Sequence, residues 1–225
     1  MKSPASKIGY IIVLIGTFSF LMAILSSCEK EESENPFYLK YTMNGEARDF
    51  PGTDPSHYFT VSGGGGSSPP HDTSNIRFTT HIWEMNNRSI PSMSITFIRY
   101  VPREQIDSSG HHFKSYDDFQ ALFVPGTKEF SWGPCRGIDG IEIQYWDSNN
   151  VLWSSARIPC GMATPVASID YSRFQYNIIY SRKYGIHPTR PDILVEAEFH
   201  CVLYNEDSDS LVIQNGRICS LYHEF

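Results

Sequence analysis

Glu142, Gln144, Trp146 and Trp153 stand close together in the chain, and their side chains suit one kind of chemistry. An indole plane packs on the C–H face of a sugar ring, while a nearby amide and carboxylate orient its hydroxyls. The surrounding pattern says how they would be held. Ile141, Ile143 and Tyr145 alternate with Glu142, Gln144 and Trp146 up to the turn Asp147-Ser148-Asn149-Asn150, and Val151 to Ser155 return. A period of two on either side of polar turn residues predicts an antiparallel hairpin. With Trp146 pairing Val151, Ile141, Ile143, Tyr145 and Leu152 form an apolar face. Glu142, Gln144, Trp146 and Trp153 then share the other face as a candidate ligand-binding platform. The competing reading covers that face with the loop of residues 101–115 or with a second sheet.

No other cluster suggests chemistry as specific. HExxH, GxSxG and CxxC are absent. His200 and Cys201 are neighbours, but successive side chains of a strand point to opposite faces, so they cannot act as base and nucleophile. His111 and His112 lie near Asp117 and Asp118, yet the two acids fit the first turn of a helix, where capping and the helix dipole account for them. Asn205 to Ser210 has alternating oxygens but neither the glycine nor the distant glutamate of an EF-hand loop, so it reads as a hairpin turn. The Gly63 to Gly66 string is followed by Pro69-Pro70 where a phosphate loop needs a helix, and it reads as a surface loop. The expectation is no catalytic residue, no metal site, no cofactor and no enzyme.

Four cysteines follow Cys28. The register of the second hairpin brings Cys135 and Cys160 to its foot, each beside a turn, and a disulfide there would stabilise the fold by about 3 kcal/mol in the chain-entropy model. Cys201 and Cys219 are either bridged or buried as small apolar groups, and the sequence does not choose.

The elements that must position these residues are strands. Residues 37–43 and 46–50 flank Asn44-Gly45, the dipeptide of a type I′ hairpin. Residues 75–83, 93–100, 141–146, 151–155, 171–183, 193–204 and 210–219 continue the series. Ser115-Tyr116-Asp117-Asp118 opens one short helix that carries Tyr116, Phe119 and Phe123 on one face and stops at Val124-Pro125-Gly126. Nine or ten short strands with hairpin connections predict an all-β fold, an antiparallel β-sandwich of immunoglobulin-like or jelly-roll-like type with one short helix.

Composition bounds the partners. Hydrophobic residues make up 40% of the 225 and charged residues 19%, with 18 basic against 25 acidic side chains and a net charge of −7. That balance argues against a nucleic-acid surface. Lys2 and Lys7 precede an apolar run from Ile8 to Leu25, which reads as a secretory signal or a membrane anchor.

Leu25-Ser26-Ser27-Cys28 resembles a bacterial lipobox. The resemblance implies removal of residues 1–27 as a signal peptide and fatty acylation, palmitate-like, of the Cys28 thiol. Cleavage would take away two lysines and no acid, leaving 198 residues and a net charge of −9. Residues 28–36 would then be an acidic tether, Glu29-Lys30-Glu31-Glu32-Ser33-Glu34-Asn35-Pro36 following the cysteine. This run is similar to the export tag of Bacteroidota surface lipoproteins and implies an outer-membrane protein facing the cell exterior rather than the periplasm. FYLKYTMNGEARDF, SYDDFQALFVPG, GIEIQYWDSNNVLWSS and VEAEFHCVLYNEDSDSLVIQNGR extend the resemblance to small β-sandwich lipoproteins of gut Bacteroidota that have no assigned activity. Residues 37–225 are expected to be their single β-sandwich domain.

The function expected is a lipid-anchored, non-catalytic binding or accessory module for a glycan or protein ligand, with the membrane as its other partner. A structural or assembly component such as a fimbria-like adhesin subunit is the alternative, and a hydrolase ranks last.

Overall fold

The computed structural model describes residues 36–53, 56–68, 73–84, 92–102, 116–131, 139–156, 171–185 and 191–223. Contacts divide the chain into Met1–Glu34 and Asn35–Phe225, and every described residue belongs to the second unit.

The first hairpin is β1 (Tyr38–Met43) and β2 (Glu46–Pro51), joined by Asn44 at φ 49° and Gly45 at φ 87°. Two successive positive φ values match the right-handed twist of the strands they connect, which is why Asn-Gly marks this turn. Then come β3 (His57–Ser68), β4 (Thr73–Glu84), β5 (Met93–Pro102), the helix α1 (Tyr116–Ala121), β6 (Gly126–Lys128), β7 (Gly140–Trp146) and β8 (Leu152–Ser154). A 3-10 turn at Tyr171–Arg173 precedes β9 (Gln175–Tyr184), β10 (Asp192–Tyr204) and β11 (Ser210–Tyr222).

The fold is all-β and antiparallel with one short helix, as the pattern predicts. Its two layers are limbs of one continuous sheet curled into a half-barrel. The strand order is β2-β1-β11-β10-β8-β7-β5-β4-β3, with β9 on β10 and β6 on β9. The change of limb occurs along β10, where residues 192–200 pair with β9 and Tyr204 pairs with Ser154 of β8. One limb is therefore β2-β1-β11-β10-β9-β6 and the other β8-β7-β5-β4-β3.

The Gly63 to Gly66 string corrects the sequence reading. It lies inside β3, paired residue for residue with Phe78 to Asn75 of β4. Glycine weakens a strand because it packs nothing, but the ladder needs only backbone groups, and the long partner strand supplies them.

The inner faces of the limbs meet in an aromatic core. Phe78 of β4 contacts Phe119 at 5.0 Å between ring centroids, Phe97 of β5 contacts Phe123 at 4.8 Å and Tyr222 of β11 at 4.9 Å, and Tyr176 of β9 lies 5.7 Å from Phe97. Phe119 and Phe123 are completely buried; the helix stops at Ala121, earlier than the sequence suggests, so Phe119 packs inward from the helix and Phe123 from the turn that follows it. Each such ring pair contributes about 0.5–1.5 kcal/mol beyond its area burial. The Thr80 hydroxyl donates to the Leu221 carbonyl at 2.7 Å, fastening β4 to β11 directly across this core. Burial pushes the Tyr222 phenol up to about 12, so it stays neutral at any physiological pH.

Candidate functional site

The second hairpin forms, with a register one residue away from the expected one. Trp146 pairs with Leu152, Tyr145 with Trp153 and Gln144 with Ser154. Because directly opposed residues share a face, Trp153 lies on the inner face with Tyr145, packed against the hydrophobic core. Trp146 lies on the outer face with Gln144 and Glu142. A slip of one residue sends a side chain to the other side of a sheet, and here it separates the two tryptophans. The expected platform of Trp146 and Trp153 is not assembled; Leu152, 40% exposed, takes the place beside Trp146.

Asp147 sets this register. Its carboxylate accepts the N–H groups of Asn149 at 2.8 Å and Val151 at 3.0 Å and the Trp153 indole N–H at 3.2 Å. Burial raises that carboxyl, and the Val151, Trp153 and Asn149 bonds together outweigh it and hold it below the usual aspartate range. One side chain thus closes the turn and fastens Trp153 inward, which alternation alone does not reveal.

The remaining site residues belong to a polar surface covering the outer face of the β8-β7-β5-β4-β3 limb. Successive strand pairings place Thr60, His81, Ser94, Gln144 and Ser154 in one row, and Ser62, Thr79, Thr96 and Glu142 in the next. Glu142 is 6% exposed. Its carboxylate accepts from Gln144 Nε2 at 2.8 Å and from the Ser154 hydroxyl at 3.3 Å, with Arg77 NH1 3.9 Å away. Burying a charge is costly unless it is hydrogen-bonded, and these partners meet that requirement. Thr79 and Thr96 share a hydrogen bond of 3.0 Å, and the Trp83 indole donates to the Thr60 hydroxyl at 2.7 Å. His81 is bonded on both ring nitrogens, Nε2 to the Ser62 hydroxyl at 2.7 Å and Nδ1 to the Ser94 hydroxyl at 2.9 Å. Burial holds its pKa below 6.5, which favours the neutral ring at pH 7. Sequence reasoning missed Ser62, His81 and Ser94. Their alternation with apolar neighbours in Ile76 to Trp83 and Met93 to Ile98 gives the face, but only the strand order gives the company they keep.

The other limb carries a groove of about 310 Å³ lined by Gln175, Glu198, His200, Asn215 and Arg217. A β-bulge opens it: the pairing of β10 with β11 shifts between Phe199 and Cys201, and Asn215 adopts φ 52°. Gly216 admits the Phe199 ring, whose atoms would lie 2.7 Å from any Cβ added there. The charged wall of this groove is already neutralised, since Arg217 contacts Glu196 at 3.1 Å and Glu198 at 3.5 Å.

Cys28, Cys135 and Cys160 lie outside the described residues, as do His111 and His112. Cys201 and Cys219 are buried and not bridged to each other. Cys219 pairs with Glu196 in register, five positions from Cys201, which is about 17 Å along a strand and too far for a disulfide. Burial pushes the Cys201 thiol far up, so it behaves as an apolar group. The turn after Tyr204 is closed by Asn205, whose Oδ1 accepts the Asp209 N–H at 2.8 Å. Among the described residues no group of three or more His, Cys, Asp or Glu side chains is placed to hold a metal ion. Among them, too, no helix is long and apolar enough to cross a membrane.

Comparison of the chain with protein-family models, with curated proteins and with solved structures finds no match in any of the three.

Proposed function

We propose that this chain is an envelope lipoprotein, anchored through Cys28 on the exterior side of an outer membrane, whose folded body binds a glycan or protein ligand and performs no reaction through the hairpin residues. The observation that supports the binding role is the hairpin end of the polar surface. Trp146 stands on the outer face between Gln144 in its own strand and Leu152 across from it, and Val151 and Leu152 are 38% and 40% exposed. An aromatic plane with apolar neighbours on one side and hydrogen-bonding rows on the other suits a ligand with an apolar face and a polar edge, as a sugar ring has. Glu142 and Gln144 act by holding the surface rigid, because each satisfies the other.

The anchoring is tested by metabolic labelling with a fatty acid: the wild type incorporates label and Cys28→Ala does not, whereas labelling of that variant would overturn it. The binding role is tested by presenting the acylated chain, in detergent, to a glycan array, where a reproducible glycan class is expected and Trp146→Ala removes it. A blank array would move the reading to a protein ligand.

A second reading, an assembly subunit that accepts a strand from a partner, is favoured by β3. This strand ends the sheet order, pairs among the described residues only with β4, and contains no acid, lysine or arginine in its 12 residues. Natural sheets usually blunt such an edge with charges or proline, as β2 does with Glu46, Arg48, Asp49 and Pro51. Equilibrium ultracentrifugation distinguishes the two, a monomer at micromolar concentration supporting the binding module.

A further inference from the structure

We propose that Ser62 is a nucleophile served by His81, able to take an acyl group from a carboxylic ester and pass it to water. This activity goes beyond the binding role and does not depend on it.

Three side chains on adjacent strands line up as nucleophile, base and positioning group. Ser62 is exposed, and its hydroxyl oxygen is 2.7 Å from Nε2 of His81, the distance a nucleophile needs from its base. His81 Nδ1 is 2.9 Å from the Ser94 hydroxyl, and Ser94 is 2% exposed. With Nδ1–H donating to Ser94, Nε2 is left as the acceptor for the Ser62 proton, the tautomer a general base requires. Ser94 is a positioning residue in this scheme. The half-buried setting that holds His81 neutral at pH 7 keeps the base available.

Ser62 is directly opposite Thr79, so His81 and Arg77 are its two diagonal neighbours on β4, about 7–8 Å away along the sheet and within reach of long side chains. Arg77 pairs with Gly64 in register, and its guanidinium reaches the other way, to 3.9 Å from the Glu142 carboxylate, so it leaves the Ser62–His81 pair uncharged. Thr60, Thr79 and Trp83 around the pair are neutral, and Arg77 and Glu142 are the charged groups sharing the described part of this face.

In the first half-reaction Ser62 Oγ bonds to the carbonyl carbon as its proton moves to Nε2. The ester C–O bond then breaks, and the alcohol leaves with that proton. In the second, water attacks the acyl-serine, giving its proton to Nε2. Collapse releases the carboxylic acid and returns the proton to Ser62, so no other reactant is consumed.

The test uses the full acylated chain with two probes, diisopropyl fluorophosphate followed by peptide mass mapping, and p-nitrophenyl acetate hydrolysis. The expected result is diisopropylphosphorylation at Ser62, with loss of fluoride, in preference to the other exposed serines, no such adduct and no hydrolysis above background in Ser62→Ala, and a rate lower by about 100-fold in His81→Gln. Ser94→Ala should keep the adduct while shifting the pH midpoint of its formation, a readout that a merely structural serine would not move. Equal labelling of all exposed serines, or a His81→Gln rate equal to the wild type in protein with an unchanged circular dichroism spectrum, would overturn the proposal.

Discussion

The outer faces of the two limbs are built on opposite principles. On the β2-β1-β11-β10-β9-β6 limb the outward face carries paired charges: Lys40 with Asp49 at 3.2 Å, and Arg217 with Glu196 and Glu198. Most are half exposed, and ion pairs in that setting contribute about 0–1 kcal/mol each. On the other limb hydroxyls, an imidazole and an amide are arranged around one acid, with Arg77 as the other charged group, and the central ones, Ser94, Thr96 and Glu142, are buried. Exposed charge keeps a surface wet and tolerant of change. Buried polarity must be satisfied bond by bond, which fixes positions closely enough for recognition or chemistry.

The sharpest break in that contrast comes from what both limbs share. Phe123 contacts Phe97 of one and Tyr222 of the other, so Phe123→Ala should cost about 3–5 kcal/mol in urea unfolding and loosen the two limbs together. A single limb melting first would show that the core is divided. Next in size is Ser94→Ala, which leaves His81 Nδ1 without its partner and is expected to cost about 1–3 kcal/mol, measured the same way.

A pH series separates the limbs more finely. The folded state binds a proton at His81 less readily than the unfolded chain does, because burial holds its pKa below 6.5. The unfolded state therefore carries more protons below that pH, and stability should fall as pH drops through 6.5 until it passes the lower folded-state value. Arg77 and Glu142 are the charged groups on the described part of that face. His81→Gln should flatten this portion of the curve, while Glu198→Gln should leave it unchanged. The smallest effect is expected at Arg217→Ala, within about 1 kcal/mol, and salt should reduce it further.

Much of the fold was legible because it is written locally. Asn44-Gly45 announced its turn, the acids at Asp117 and Asp118 announced the helix, and alternation in Val195 to Leu203 gave the buried face of β10. What stayed hidden depends on relations between strands. The placement of Trp153 turned on one residue of register, set by Asp147 and its three bonds rather than by hydrophobic pattern. The glycine string gave no sign of a strand, since its pairing relies on β4 and not on its own side chains. Ser62, His81 and Ser94 come from three strands, and nothing in their spacing along the chain says that they touch.

The central claim is that the outward polar face beside Trp146 does the work while Trp153 serves the core. Paired variants measured on one glycan array and in one urea titration test it most directly. Trp146→Ala should abolish array binding with an unfolding midpoint close to that of the wild type, and Trp153→Phe should lower the midpoint yet keep the binding. Loss of binding in a folded Trp153→Phe together with unchanged binding in Trp146→Ala would contradict the account.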